Sequence, residues 1–233
     1  MNARDTFASL LQNQLRDTRV FNLGYSGYGP HQTLRFLELE RERKILDGCR
    51  ETVAYYLGVE DNFWRALGRA NWGLSAPSYG LVNGEVTYRR PNYPEWVNAL
   101  NNRVQRLQIG PPLVKWLVGY GKEVPAEEHE IYRKIFLKMG RLLRERYGAD
   151  FHVLYGTQGR DPKLPEFRKL EGEGLDVKYF EGYMLAEGYP LAKILPDLYL
   201  GDRTHFNAAG HRAVAKILLA TRLGPWLRSV DGR

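Results

Sequence analysis

The run Arg19-Val20-Phe21-Asn22-Leu23 passes directly into Gly24-Tyr25-Ser26-Gly27-Tyr28-Gly29-Pro30. A short β-prone run, three closely spaced glycines and a proline suited to a first helical turn predict strand, tight turn, helix. Leu34, Leu37 and Ile45 then continue on one helical face. A unit of this kind feeds a parallel sheet, because the helix carries the chain back to begin a neighbouring strand.

The same alternation recurs along the chain. Phe7, Leu10, Leu11 and Leu15 follow Asp5-Thr6, a plausible N-cap, and predict an opening amphipathic helix. Thr52-Val53-Ala54-Tyr55-Tyr56-Leu57 is near-continuously apolar, as in a parallel strand buried on both faces, and ends at Gly58-Val59-Glu60-Asp61-Asn62. Pro125 opens a long helix with Ile131, Ile135, Met139 and Leu142 on one face and Gly148 at the C-cap. Phe151 to Tyr155 and Val177 to Phe180 read as further strands, separated by a polar loop from Gly156 to Glu173. A closing helix from Asn207 to Leu223 turns Val214, Ile217, Leu218 and Thr221 inward.

Between Asn71 and Val124 the alternation breaks. Tyr79–Val82 and Glu85–Tyr88 flank Asn83-Gly84, a strong signal for a two-residue hairpin turn. Prolines 91, 94, 111 and 112 frame short helical segments carrying Trp96, Leu100, Val104 and Leu107, then Leu113, Trp116 and Leu117. This segment reads as a hairpin and helical insertion that packs over one end of the sheet. The expectation is one α/β domain over residues 1–233, with a mostly parallel sheet and an insertion at 71–124.

Composition narrows the partners. With 34 Lys and Arg against 27 Asp and Glu, the 233 residues carry a formal charge of +7. Counterion release would reward nucleic-acid binding only if the bases were clustered. Arg41, Arg43 and Lys44 instead alternate with Glu38, Glu40 and Glu42, the pattern of a solvated helix face. No nucleic-acid partner is expected, although a DNA binder resting on the net charge stands as a third reading. No apolar run approaches the roughly 18 residues needed to cross a bilayer, and the first residues lack the apolar stretch of a signal peptide. As written, the chain is expected in the cytosol, or exported if a signal was lost with the N-terminus. Cys49 is the sole cysteine, which removes an intramolecular disulfide and a cysteine-rich zinc site, and it reads as a buried small hydrophobe.

Three elements carry chemistry. Asp202-Arg203-Thr204-His205 stands in a loop before the last helix. An acid three residues ahead of a histidine lets the carboxylate accept from Nδ1 and leave Nε2 as a base. Phe206-Asn207-Ala208-Ala209-Gly210-His211 continues with an N-cap and small residues that permit close packing. In the glycine turn, Gly27 lets a backbone N–H approach a substrate with no Cβ in the way, as an oxyanion hole requires, although turn geometry alone also accounts for it. Asn62 reads either as a second oxyanion donor or as a cap on the helix near Phe63. All three sit at strand C-termini or in the following loops, the edge where open α/β sheets place ligands.

Together these residues resemble the SGNH/GDSL hydrolase family of esterases and acyl-transfer enzymes. Val20 to Gly29 is similar to the family's second block, Tyr56 to Arg65 to a variant third block, and Asp202 to His211 to the fifth. The resemblance implies a flavodoxin-like three-layer α/β/α sandwich. It also implies His205 as general base, Asp202 as its orienting acid, and Gly27 with Asn62 as oxyanion donors, with Glu60 or Asp61 as alternatives for the Asn62 column. The substrate class it implies is a small ester or an acylated carbohydrate, with no metal or organic cofactor.

The family's first block, a strand ending in glycine-aspartate-serine, has no counterpart here. Ser9, Ser26, Ser75, Ser78 and Ser229 lie in no such setting, nor in Gly-x-Ser-x-Gly. Ser26, beside Gly27, is the nearest substitute nucleophile. In the family that strand is central, so the strands at Val20 and Val53 are expected to face a gap. A truncated reading of a longer product is the favoured account, with another segment or a second subunit as the other way to fill it; oligomerisation stays open. The rival function is an inactive SGNH-like binding or scaffolding domain.

Overall fold

The computed structural model describes residues 3–15, 18–25, 27–70, 76–91, 93–104, 110–157, 165–201 and 205–223. In chain order the elements are α1 (Phe7–Gln14), α2 (Pro30–Glu38), α3 (Arg43–Leu46), β1 (Val53–Val59), α4 (Asp61–Ala66), β2 (Ser78–Val82) and β3 (Glu85–Arg89). There follow α5 (Glu95–Val104), α6 (Gly110–Leu117), α7 (Ala126–Tyr147), β4 (Asp150–Gly156), α8 (Pro165–Gly172), β5 (Asp176–Tyr179), α9 (Phe180–Ala186), α10 (Leu191–Leu198) and α11 (Ala208–Leu218), which runs into a π turn at Leu219–Leu223. The protein is a mixed α/β chain with a three-stranded parallel sheet in the order β1-β4-β5. It divides into two compact units interleaved in sequence.

The larger unit, Tyr25–Tyr155 with Lys163–Lys178, holds the sheet and the β2–β3 hairpin. Its longest helix, α7, buries Ile131, Ile135, Phe136, Met139 and Leu143 and ends at Gly148 with φ +58°, the left-handed cap the glycine supplies without steric cost. Leu143 is buried on this face and the expected Leu142 only half-buried. Pro30 occupies the first turn of α2, and Leu34 and Leu37 are buried as expected. Ile45, however, sits on the separate short helix α3, so α2 stops seven residues earlier than the apolar spacing suggests. The hairpin forms in the predicted register, Tyr79 opposite Tyr88 and Val82 opposite Glu85, with Asn83 and Gly84 both at positive φ.

One carboxylate fastens this hairpin to the helices. Glu38, at the end of α2, accepts from Lys138 of α7 at 2.6 Å, Tyr79 of β2 at 2.9 Å and Arg35 at 3.1 Å. Burial by itself would raise its pKa, but these three donors together hold it below the ordinary value. Glu38→Gln is expected to lower unfolding stability by about 1–3 kcal/mol, read from urea denaturation, because it leaves Lys138 and Tyr79 short of a charged acceptor. An unchanged midpoint would show that apolar contacts alone seat the hairpin.

The smaller unit, formed by 1–24, 156–162 and 179–233, is built on α11. Thr6 caps α1 as expected, accepting from Ser9 N, and α1 packs on α11 through Ala8 and Leu11. Val214, Ile217 and Leu218 are buried, while the Thr221 side chain lies outside what is described.

Several expectations are corrected. Residues 19–23 form no strand. Two of the neighbouring backbone groups instead bond the Gln12 side chain, which donates to Thr18 O at 2.9 Å and accepts from Val20 N at 2.8 Å. Phe21 and Leu23 are exposed. β1 is mostly half-buried rather than covered on both faces, and among the described residues only β4 pairs with it. Cys49 is exposed, since it follows Gly48 at positive φ in the turn between α3 and β1. The polar stretch after β4 contains α8, whose Leu170 is fully buried, and α9 and α10 were not foreseen. Phe180 begins α9 rather than ending a strand.

Candidate functional site

The glycine turn and the end of β1 belong to the larger unit. Tyr28 N donates to Tyr25 O at 3.1 Å, closing a β-turn in which Gly27 takes φ +79°. That conformation belongs to the third position of a type II turn and favours glycine strongly. Gly29 caps α2 and donates its N–H to Gln32 Oε1 at 2.9 Å, and Pro30 follows where no N–H is needed. Ser26 lies outside the described residues.

Asn62 ties this turn to the sheet. Its Oδ1 accepts from Val59 N, at the end of β1, at 2.7 Å, and its Nδ2 donates to Tyr28 O at 3.0 Å. Asn62 is buried inside the first turn of α4, whose N-cap is Glu60. Arg65 adds a second donor to Tyr28 O at 3.2 Å and pairs with Asp61 at 3.4 Å, and Tyr120 Oη donates to Asp61 at 2.7 Å. Of the three residues competing for one position, Asn62 therefore reaches the Gly27 turn and Asp61 is engaged by Arg65 and Tyr120. Among the described residues no partner engages the Gly27 N–H, and Asn62 Nδ2 keeps a second hydrogen.

His31 completes the corner, and sequence reading passed over it. It is 2 % exposed, its Nδ1 has no hydrogen-bond partner among the described residues, and its ring lies so close to Gly29 that a Cβ there would stand 2.9 Å from Nδ1. Burial, with the Arg65 charge beside it, pushes its pKa down to about 3, so the imidazole is neutral at pH 7. Only its place just after Pro30 hinted at such burial.

His205 belongs to the smaller unit, in a loop pinned at both ends. Leu200 N donates to His205 O at 2.7 Å, Tyr199 and Phe206 form an antiparallel bridge, and Asn207 N donates to Leu198 O at 3.0 Å. Asn207 is the predicted N-cap, accepting from Ala209 N at 2.8 Å and Gly210 N at 3.0 Å. Its Nδ2 reaches back to Asp197 O at 2.8 Å and Tyr199 O at 3.2 Å. Phe206, next to His205, packs with its ring 4.7 Å from Phe180 and 4.6 Å from Tyr199. Asp202, Arg203 and Thr204 lie outside the described residues.

His205 is exposed. His211 is different: its Nδ1 accepts from Phe7 N at 3.2 Å, its ring stacks on Phe7, and burial lowers its pKa. It serves as a neutral acceptor joining α1 to α11. In the same unit, Glu181 is 1 % exposed and accepts from Thr157 N at 2.8 Å and Tyr199 Oη at 3.1 Å. No short-range pattern announced Glu181, whose partners lie 24 and 18 residues away. An open groove of about 530 Å³ between α1 and α11, lined by Leu10, Arg212, Ala215 and Leu219 among others, contains none of the candidate residues.

Among the described residues no group of three or more His, Cys, Asp or Glu side chains is placed to hold a metal ion. No protein-family model matches the chain, and no curated protein or solved structure matches it significantly.

Proposed function

We propose that the chain is an SGNH-type α/β hydrolase that cleaves or transfers an ester-linked acyl group, on a flavodoxin-like three-layer scaffold. The observation that carries this reading is the Asn62 clamp. One side chain is fastened both to the end of a parallel strand and to the turn holding Gly27, leaving two N–H groups for an oxyanion.

In the proposed reaction a serine Oγ attacks the acyl carbonyl, and His205 removes its proton while Asp202 orients the imidazole. Gly27 N–H and Asn62 Nδ2 hold the tetrahedral oxyanion. Collapse expels the alcohol, which takes the proton from His205, and leaves an acyl-serine. Water, deprotonated by His205, then releases the acid. The 233 residues contain no Gly-Asp-Ser sequence, so the serine would lie on a strand outside them, paired with β1 on the side away from β4. Ser26 is the fallback nucleophile. Tyr25 and Tyr28, exposed with ring centroids 5.1 Å apart beside the turn, favour an O-acylated sugar, whose ring face stacks on aromatics. The same pair supports the rival reading, a binding domain without turnover.

The test extends the chain upstream with a strand ending in Gly-Asp-Ser and follows p-nitrophenyl acetate hydrolysis. His205→Ala is expected to cut kcat/KM by about 10³-fold or more. Retention of most activity removes His205 from the mechanism. An extended protein that binds acylated oligosaccharide without hydrolysing any ester supports the binding domain instead.

A further inference from the structure

Five large apolar side chains on α5 and α6, Trp96, Leu100, Leu113, Trp116 and Leu117, face solvent. Trp96, Leu117 and Trp116 are 67, 64 and 63 % exposed, the highest values among the large apolar side chains described, and Leu100 and Leu113 accompany them. On α6, Leu113, Trp116 and Leu117 occupy positions i, i+3 and i+4, which places them on one face, while Val114 on the other side is buried. On α5, which packs against α6, Trp96 and Leu100 stand one turn apart, whereas the polar Asn101 is buried. Large apolar side chains exposed together on two neighbouring helices depart from the usual pattern of a surface helix.

The sequence around the two helices adds a second feature, of which Arg103 lies on α5, Lys115 on α6 and Lys122 beside Trp116. Residues 89–122 carry six basic residues, Arg89, Arg90, Arg103, Arg106, Lys115 and Lys122, against the single acid Glu95. Most of the chain's net charge of +7 thus falls in this segment. Lys122 Nζ lies 5.1 Å from the Trp116 ring centre, which places a cation at the rim of the exposed apolar face.

We propose that α5 and α6 form a peripheral docking element for anionic lipid bilayers. Tryptophan favours the headgroup boundary, leucine the first methylenes of the acyl chains, and lysine and arginine the lipid phosphates. At ten and eight residues the helices are far too short to cross a bilayer, and among the described residues no helix is long and apolar enough to do so. They would lie in the interface plane. Charge decides between occupants. A second copy meeting this patch through two-fold symmetry would bring the same basic segment face to face, which repulsion opposes. Nucleic acid would satisfy the charge but leave three exposed leucines unburied, because aliphatic side chains do not stack on bases. An anionic bilayer satisfies both features.

The test mixes the full 233-residue chain with large unilamellar vesicles of phosphatidylcholine alone or with 30 % phosphatidylglycerol, and measures co-sedimentation. Binding is expected only with phosphatidylglycerol, weakened by 0.5 M salt, and accompanied by a blue shift of tryptophan emission. The double variant Trp116→Ser/Leu117→Ser is expected to lose at least tenfold in vesicle affinity, and Arg103→Glu/Lys122→Glu likewise, with unchanged circular dichroism because all four side chains are exposed. Absence of vesicle binding by the parent chain overturns the proposal. So does equal binding by the serine variant. Concentration-dependent dimers that the serine variant abolishes, or DNA retention in preference to vesicles, would assign the patch to the other occupants.

Discussion

Gly210→Ala is expected to destabilise the protein by about 3 kcal/mol or more, although alanine is the better helix former. Gly210 lies in the first turn of α11 and its N–H is bonded to the Asn207 cap. A Cβ there would penetrate the carbonyl oxygen of Leu198 and stand 2.8 Å from Phe206 Cδ1. The oxygen belongs to the backbone and itself accepts from Asn207 N, so it has little freedom to withdraw. Helix α11 would have to move away from the chain that carries His205. The control is Gly182→Ala in α9, where the added methyl would meet only Tyr179 Cβ at 3.7 Å. That change is expected to raise stability by about 0.5–1 kcal/mol through helix propensity. Urea denaturation of both variants separates the two effects, and a Gly210→Ala protein at least as stable as the parent would refute the close packing.

The second large effect is acid destabilisation through His31. Its folded-state pKa, about 3, lies below the ordinary histidine value of 6.5. Between these limits the unfolded chain binds a proton that the native chain does not, so stability rises with pH across the window. The contribution is fully present above pH 6.5 and is lost progressively as pH falls toward 3. At one proton the slope is about 1.4 kcal/mol per pH unit, which amounts to about 3 kcal/mol by pH 4. His211, also lowered by burial, acts in the same direction. His31→Leu is expected to flatten the dependence of unfolding free energy on pH between 6.5 and 4 while leaving stability at pH 7 little changed, since Nδ1 has no partner among the described residues to lose. Parallel pH profiles for parent and variant would place the acid sensitivity elsewhere.

What was legible in the residues follows a single physical division. Signals that act within a few residues read correctly. Asn83-Gly84 took the positive φ values of a tight hairpin, Gly148 the left-handed cap, Pro30 the first helical turn and Asn207 the N-cap. Each depends on local backbone geometry and a hydrogen bond of short reach. Of the candidate residues, Gly27 showed its positive φ and Asn62 its place at the end of β1 for the same reason.

Readings that depended on distant partners fared differently. Residues 19–23 have strand composition, but a strand exists only where another supplies its hydrogen bonds, and here Gln12 takes part of that role. Thr52 to Leu57 looked suited to burial on both faces, yet β1 is mostly half-buried and among the described residues pairs only with β4. Cys49 is small and apolar, but its turn leaves it in solvent. The helices α8, α9 and α10 are only seven or eight residues long, and packing rather than propensity stabilises such segments.

By itself, then, the sequence determined the hairpin, the caps, the long helix α7 and the turn geometry of Gly27, because these are settled by neighbours a few bonds away. The tertiary structure alone decided that Asn62 clamps the Gly27 turn, that Glu38 gathers Lys138 and Tyr79, that His31 is buried with its Nδ1 unbonded among the described residues, and that Trp96 and Trp116 face outward. Those outcomes depend on which surfaces meet across 34 to 100 positions of chain. Burial, and with it the energy of a charge or an aromatic ring, exists only once those surfaces have met.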